Sequence, residues 1–389
     1  MSEVLYCTHS AFKLSETFLL KTRNYLATKF SLSVVSTTKG DEHHVSIPSH
    51  FIAINDRSLL NRIAYNIRAL LENKPREQIR LETHRRRTRN YFQLKNISAH
   101  AAIIEYGTSA YVFAPVLIEK NIPYIITFHG YDCSQYLGFP WYQSAIVALC
   151  KSSMAVVVPS HHLRRRLQLI GVAKEKITVE PCAPLYSELP TSQPSAEPYV
   201  VALGRLTEKK CPEALVHTAY LVLQQFPEAH FHILGDGPLR PRVENLIRKL
   251  RLEESVTLHG AVEHSSAMKV LSRATVFIQH SVTSSNGDQE GFPVAIAEAL
   301  GMGIPVVSTF HSGITEAIEH GVSGLLAQEH DFEEMAKHVS QLLADEQLRR
   351  TMGTKGKEKI SEIAGALSRE KKLAALIASA ITVDHSMAV

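Results

Sequence analysis

The strongest constraint in this sequence is an alternation that runs from end to end: short apolar runs rich in β-branched residues, each followed by a stretch with helical spacing. That alternation marks parallel sheets wrapped by helices. Strands are predicted at "EVLYC", "LSVVS", "AAIIE", "PYIITF", "AVVVP" and "KITVEP", and then at "YVVALG", "HFHILG", "SVTLHG", "TVFIQ", "IPVVS" and "GLLA". Between the two series lies "YSELPTSQPSAEP", with three prolines and three serines in thirteen residues and no periodicity, which reads as a linker. At 389 residues the chain exceeds the roughly 250 to 300 at which a single core stops growing. Two doubly wound α/β domains with a cleft between them are therefore expected, dividing near residues 185–196. Open parallel sheets bind ligands at the carboxyl ends of their strands, so function is sought in the strand-to-helix loops.

Composition narrows the setting. Five scattered cysteines without a Cys-x-x-Cys pair argue against a disulfide framework and a zinc site, and point to a reducing, cytoplasmic compartment. The start "MSEVLYCTHSAF" is not patterned as a secretory leader, and no apolar run approaches the ~20 residues that span a bilayer. Residues 1–190 hold 23 Lys and Arg against 14 Asp and Glu, with Arg85, Arg86, Arg87, Arg89, Arg164, Arg165 and Arg166 clustered. Such a face suits nucleic acid, anionic lipid or anionic substrate, or is simply a solvated helix surface.

Three loops carry the chemistry. In "VALGRLTEKKC" a strand ends at Gly204, and Arg205, Lys209 and Lys210 follow at once, an arrangement that suits a diphosphate. In "FHILGDGPLR" the third glycine of a dinucleotide fingerprint is missing, which discounts a nicotinamide cofactor, and Asp236 with Pro238 is read as a turn and helix cap. In "QEGFPVAIAE" Pro293 opens a helix, leaving the amides of Gly291, Phe292 and Val294 as donors at its amino end, a seat for phosphate or sugar oxygens. Glu290 precedes that seat and Glu298 follows it. Carboxylates accept hydrogen bonds from vicinal hydroxyls, so carboxylate, anion seat, carboxylate matches the order sugar, diphosphate, ribose.

The Glu-x7-Glu pattern around Gly-Phe-Pro, with "GRLTEKK" and "GDGP" upstream and "GIPVVST" and "SGITEAIEHGVSGLL" downstream, resembles family 4 of the retaining glycosyltransferases. The amino-terminal "KLSETFLL" and "IPYIITFHGYD" are similar to the bacterial exopolysaccharide and lipopolysaccharide transferases of the colanic-acid type. The resemblance implies a GT-B fold: two Rossmann-like domains facing each other across a cleft. It places an acceptor-side domain at 1–190, a donor-binding domain at 191–364, and a last helix, about 365–389, crossing back to the first domain.

Carried over by position, the resemblance assigns Arg205 and Lys210 to the donor diphosphate and Glu298 to the ribose. It gives catalytic roles at the transferred sugar to Glu290 and His129, the latter in "FHG". Asp132 is expected to hold the histidine loop, and Ser15 and Glu16 to approach the diphosphate or the acceptor. The chain departs from the family where "HSAFKLSETF" replaces a glycine-rich loop, where Cys211 stands in place of a glycine, and where "PCAPLYS" precedes the linker. The expected reaction is retaining transfer from a nucleotide-sugar to a hydroxyl of a glycan or lipid-linked acceptor, at the cytoplasmic face of an anionic membrane. Neither metal nor cofactor is expected, and the chain has no Asp-x-Asp. An epimerase or phosphorylase on the same fold is the enzymatic alternative. A nucleic-acid binder is the other, disfavoured because no aromatic platform accompanies the arginines. A catalytically silent scaffold is disfavoured by the intact site residues.

Overall fold

A computed structural model describes residues 1–10, 17–38, 47–52, 59–182, 184, 189–365 and 367–387. The chain divides into two compact units, one comprising 1–159, 163–180 and 369–389, the other 160–162 and 181–368.

In the first unit a parallel sheet contains β1 (Glu3–Ser10), β2 (Ser31–Thr38), β3 (Ser49–Phe51), β4 (Ala101–Glu105), β5 (Tyr124–Thr127), β6 (Ala155–Val158) and β7 (Ile177–Val179). Their order is β3-β2-β1-β4-β5-β6-β7. β4, β5 and β6 are buried at every position, as strands covered on both faces must be. Alternation sorts their side chains: Leu5, Cys7, Ala102 and Ile104 enter one core, while Val4, Tyr6, Ala101 and Ile103 enter the other. The second of these cores is closed by the helix Ser368–Met387, whose Leu373, Ile377, Ala380 and Ile381 recur at helical spacing.

The second unit repeats the plan with β8 (Tyr199–Leu203), β9 (His230–Leu234), β10 (Val256–Gly260), β11 (Val276–Ile278), β12 (Val306–Thr309) and β13 (Leu325–Ala327), ordered β10-β9-β8-β11-β12-β13. Each of the twelve strands expected from the sequence has a counterpart. β3 was not expected, because three residues at a sheet edge give too short a pattern to read.

The units divide at 180/181 and 368/369, earlier and later than the linker and the 364/365 limit suggested. The described part of the linker, 189–198, is tied to the second unit: the Gln193 and Ser195 amides donate to the carbonyls of Ser272 and Arg273, and Leu189 packs on a core of that unit. At the other end, buried Arg369 and Glu370 belong to the first unit. Arg369 donates to the Glu180 carbonyl at 3.2 Å, and Glu370 accepts from Thr22 at 3.2 Å and pairs with Lys21 at 3.5 Å.

Strand order reverses beside β1 in the first sheet, between β1 and β4, and beside β8 in the second, between β8 and β11. Loops leaving such neighbouring strands diverge and open a crevice at their carboxyl ends. Arg205 and Lys210 follow β8, Glu290 follows β11, and Glu105 ends β4.

Candidate active site

In the second unit, the loop after β8 is held in place by the turn after β9. The Leu206 amide donates to the Asp236 carbonyl at 3.0 Å, and the Leu239 amide donates to the Leu206 carbonyl at 3.1 Å. Gly235 has φ of +128°, and a Cβ there would lie 2.0 Å from the Gly204 carbonyl oxygen. This close approach is why the turn is glycine-rich. The helix that follows starts at Arg240 with Leu239 before it, so the sequence-based reading of Asp236 and Pro238 as its cap is corrected. Asp236 instead accepts from the Gly237 amide at 2.7 Å and lies 3.4 Å from Arg240.

The backbone at Cys211 adopts φ of +39°, a left-handed conformation that favours glycine, just before the helix Pro212–Leu223. That kink brings Lys210 back toward Gly204, against whose Cα a Cβ would meet Lys210 Cε at 3.5 Å. Lys210 Nζ then lies 3.1 Å from Glu290 Oε1. Glu290 is 6% exposed, and its carboxyl is held down at about 2. Burial alone would push it up, but the charges of Lys210, Lys209 and His311 override that. Lys210 is itself lowered, by burial first and by Lys209 and Arg205, against the pull of Glu290. The neighbouring cation, Lys209, reaches Asp288 at 3.1 Å and the Gln289 carbonyl at 3.4 Å. Arg205 is exposed beside them.

The main chain at Glu290 is fixed from behind. Its amide donates to His311 Nε2 at 3.1 Å, and His311 Nδ1 lies 2.6 Å from Glu329. The Ser312 hydroxyl donates to the Glu290 carbonyl. Gly313 lets that loop close in, since a Cβ there would lie 2.0 Å from the Gly291 carbonyl oxygen. The helix Val294–Gly301 begins directly after Pro293, and the amides of Gly291, Phe292 and Val294 meet no acceptor among the described residues. Glu298, 3% exposed on that helix, is bonded through Oε1 to His264 Nε2 at 2.7 Å.

The first unit has its own cluster around Glu105, which is fully buried at the end of β4. Its carboxylate accepts from Tyr6 at 2.8 Å and from the Thr127 hydroxyl, and it lies 2.7 Å from His129 Nε2 and 4.0 Å from Arg369. Burial would raise the Glu105 carboxyl, but the His129 bond and charge, with Arg369 and Thr127, hold it at about 2. The rings of Tyr106 and Phe18 flank His129 at 4.5 and 5.0 Å. Buried Asp132 accepts three backbone amides, from Gly107 at 2.8 Å, His129 at 3.1 Å and Gly130 at 2.9 Å. A small cavity of about 50 Å³ next to this loop is lined by His9, Thr37, Arg80, Thr108, Ser109 and Tyr131, among others.

Lys210 and Glu290 are thus in contact, with Arg205 on the same loop as Lys210, while Glu298 engages a different partner. Ser15 and Glu16 lie outside the described residues. Sequence reasoning missed four residues: in the first unit Glu105 behind His129, and in the second unit His264 on Glu298 and the His311 and Glu329 pair behind Glu290. A carboxylate closing the apolar run "AAIIE" is the available signal for Glu105, and the strand-to-helix loop "STFHSG" is the signal for His311.

The model for "Glycosyl transferases group 1" matches residues 190–359, and that for "Glycosyltransferase Family 4" matches 16–183. The chain is 29% identical over 364 residues, 85% of its length and 89% of the relative's, to the putative colanic acid biosynthesis glycosyltransferase WcaL of Escherichia coli K12. It is 32% identical over 215 residues to the amylovoran biosynthesis glycosyltransferase AmsK of Erwinia amylovora, covering 54% of this chain and 53% of AmsK. Among solved structures, Anabaena Alr3699/HepE in complex with UDP and glucose superposes with a TM-score of 0.74 at 17% identity, covering 97% of this chain and 100% of that one. That likeness bears on the fold, which is GT-B.

Proposed function

The chain belongs to glycosyltransferase family 4, and from that premise we propose that it moves a sugar, with retention of anomeric configuration, from a nucleoside diphosphate to a hydroxyl of a glycan or lipid-linked acceptor in exopolysaccharide assembly. The observation that carries the reading is the buried Lys210–Glu290 pair beside Arg205 and the open amides of Gly291, Phe292 and Val294. The naming of WcaL and AmsK as polysaccharide-biosynthesis enzymes supports the choice of acceptor class.

In this proposal the second unit holds the donor. Arg205, Lys210 and the helix amides take up charge on the departing diphosphate, so neither metal nor cofactor is needed. Glu298, oriented by His264, accepts from the ribose hydroxyls. The bond between the anomeric carbon and the phosphate oxygen breaks, the acceptor oxygen bonds to the same face, and its proton passes to a phosphate oxygen. Glu290 lies near the anomeric carbon and favours its developing positive charge. The first unit takes the acceptor and contributes His129, held by Glu105 and by the Asp132 loop. Cys7, Cys133 and Cys150 are buried and form no disulfide among the described residues, which supports a reducing, cytoplasmic setting.

A thermal-shift screen of nucleotide-sugars identifies the donor, since a ligand at 100 times its dissociation constant adds about 2.7 kcal/mol. Proton NMR of the product formed with that donor in the presence of a chelator then reads the anomer. Retention without metal is expected. An inverted anomer, a strict metal requirement, or epimerised donor as the sole product would overturn the proposal.

A further inference from the structure

The helix Leu59–Glu72 is amphipathic, but its apolar stripe faces away from the fold. Ile63, Ile67, Leu70 and Leu71 recur at helical spacing on one side, and they are 45%, 51%, 83% and 80% exposed. The opposite side fixes this orientation. Tyr65 is buried, and Arg68 donates to the Thr83 hydroxyl on the next helix at 3.1 Å while pairing with Glu72 at 2.7 Å. Four large aliphatic side chains gathered in water are rare on a soluble surface and mark a site that meets an apolar phase.

The surrounding charge says which phase. Residues 59–95 contain ten Lys and Arg against three Glu. Several of these cations are engaged within the fold: Arg80 on Tyr136, Arg85 over the Tyr111 ring, Arg89 on Glu119 and Lys74 on Glu72 and Glu82. Arg62, Arg76, Arg86 and Arg87 are exposed, Arg62 on the same helix as the stripe and Arg76 just beyond its end. A protein partner with an apolar groove would satisfy the leucines but not this excess of positive charge. An anionic bilayer satisfies both, through its acyl boundary and its headgroups. No described helix is long and apolar enough to cross a membrane, so the mode is to lie in the interface.

We propose that the helix Leu59–Glu72 docks the first unit on an anionic membrane, its stripe of Ile63, Ile67, Leu70 and Leu71 entering the headgroup and acyl boundary while Arg62, Arg76, Arg86 and Arg87 meet the lipid phosphates. The arginine clusters seen in the sequence are then only half of the surface, and Arg166 is not part of it. Arg166 donates to the Cys133 carbonyl at 2.8 Å. This inference does not depend on the catalytic reading.

The test is co-sedimentation of the full chain with vesicles of phosphatidylcholine alone and of an equal mixture with phosphatidylglycerol. The wild type should partition onto the mixed vesicles and much less onto the neutral ones. The variant Ile63→Ser/Ile67→Ser/Leu70→Ser/Leu71→Ser should lose at least about tenfold in partitioning, with its melting temperature preserved. If that variant unfolds, Leu70→Ser/Leu71→Ser serves, because both side chains are almost wholly in solvent. Arg62→Gln/Arg76→Gln/Arg86→Gln/Arg87→Gln should lose the preference for the mixed vesicles. Equal binding of the wild type and the serine variants would overturn the proposal. So would a stripe whose removal turns a dimer into a monomer in sedimentation velocity, which would make it a contact between copies.

Discussion

Each unit buries one carboxylate beside the reversal point of its sheet, and both carboxyls sit at about 2, but they are held there differently. Glu105 is ringed by Tyr6, Thr127, His129 and Arg369, so its oxygens are occupied. Glu290 pairs with Lys210, 3.1 Å from its Oε1, while Lys209 and His311 act on it through their charge. A carboxylate whose oxygens are all engaged by the fold can only position its neighbours, whereas one paired through one oxygen to a lysine keeps capacity for a ligand. In the proposed function this difference separates a positioning carboxylate from one at the reacting sugar, with the same residue type and similar burial.

The largest effect should come from breaking these buried pairs. Glu105→Ala leaves Tyr6, Thr127, His129 and Arg369 facing an empty site, and urea unfolding should show a loss of about 3–5 kcal/mol. A loss below about 1 kcal/mol would dissolve the distinction between the two carboxylates. Lys210→Ala strands Glu290 and should cost stability of the same order even without ligand. Exposed Arg205 separates the two roles of the cations: Arg205→Ala should leave the melting temperature unchanged. Donor binding, measured by calorimetry, should weaken by about 1.5–3 kcal/mol in both variants. An Arg205→Ala protein that binds donor normally would remove that residue from the diphosphate.

Acid should loosen the second unit before the first. Buried His280 accepts the His330 amide through Nε2 at 2.9 Å, and burial, with the His330 charge, lowers it to about 4. The unfolded chain therefore binds this proton first, and stability falls as pH drops from about 6.5 to about 4. Glu105 and Glu290 have the opposite kind of shift for their type, depressed below the unfolded value. Their stabilisation is intact above about 4.3 and is lost only as pH falls from there toward 2. Hydrogen exchange at pH 5 should show amides of the second unit opening first, and His280→Gln should flatten the dependence. Uniform loosening of both units would contradict the assignment. The smallest effect is at His264, 43% exposed: His264→Ala frees the Glu298 side chain and should raise the donor KM by the equivalent of about 1 kcal/mol without changing kcat.

Much of this was legible in the sequence because parallel strands buried on both faces write continuous apolar runs, and "AAIIE", "YIITF" and "AVVV" need no partner to be read. The loop geometry was legible at Gly204, against which Lys210 packs, and at Gly291-Phe292-Pro293, which opens the helix Val294–Gly301. Pairings were not, since Glu105 lies 24 residues from His129, and His264 lies 34 from Glu298. The outward stripe of the helix Leu59–Glu72 was also missed. Helical periodicity reports that a face is apolar, but Tyr65 and Arg68 decide which way that face turns.

In the proposed reaction Glu290 acts on the reacting sugar while Glu298 holds the part of the donor that does not react. Steady-state kinetics of Glu290→Gln and Glu298→Gln with the donor identified by thermal shift test it most directly. Glu290→Gln is expected to lose turnover by about 10²- to 10³-fold with KM nearly unchanged, as when one preorganised charge is removed from a transition state. Glu298→Gln is expected to raise KM and keep most of kcat, as when binding common to ground and transition states is removed. Turnover abolished in Glu298→Gln at saturating donor, with Glu290→Gln still active, would contradict these roles.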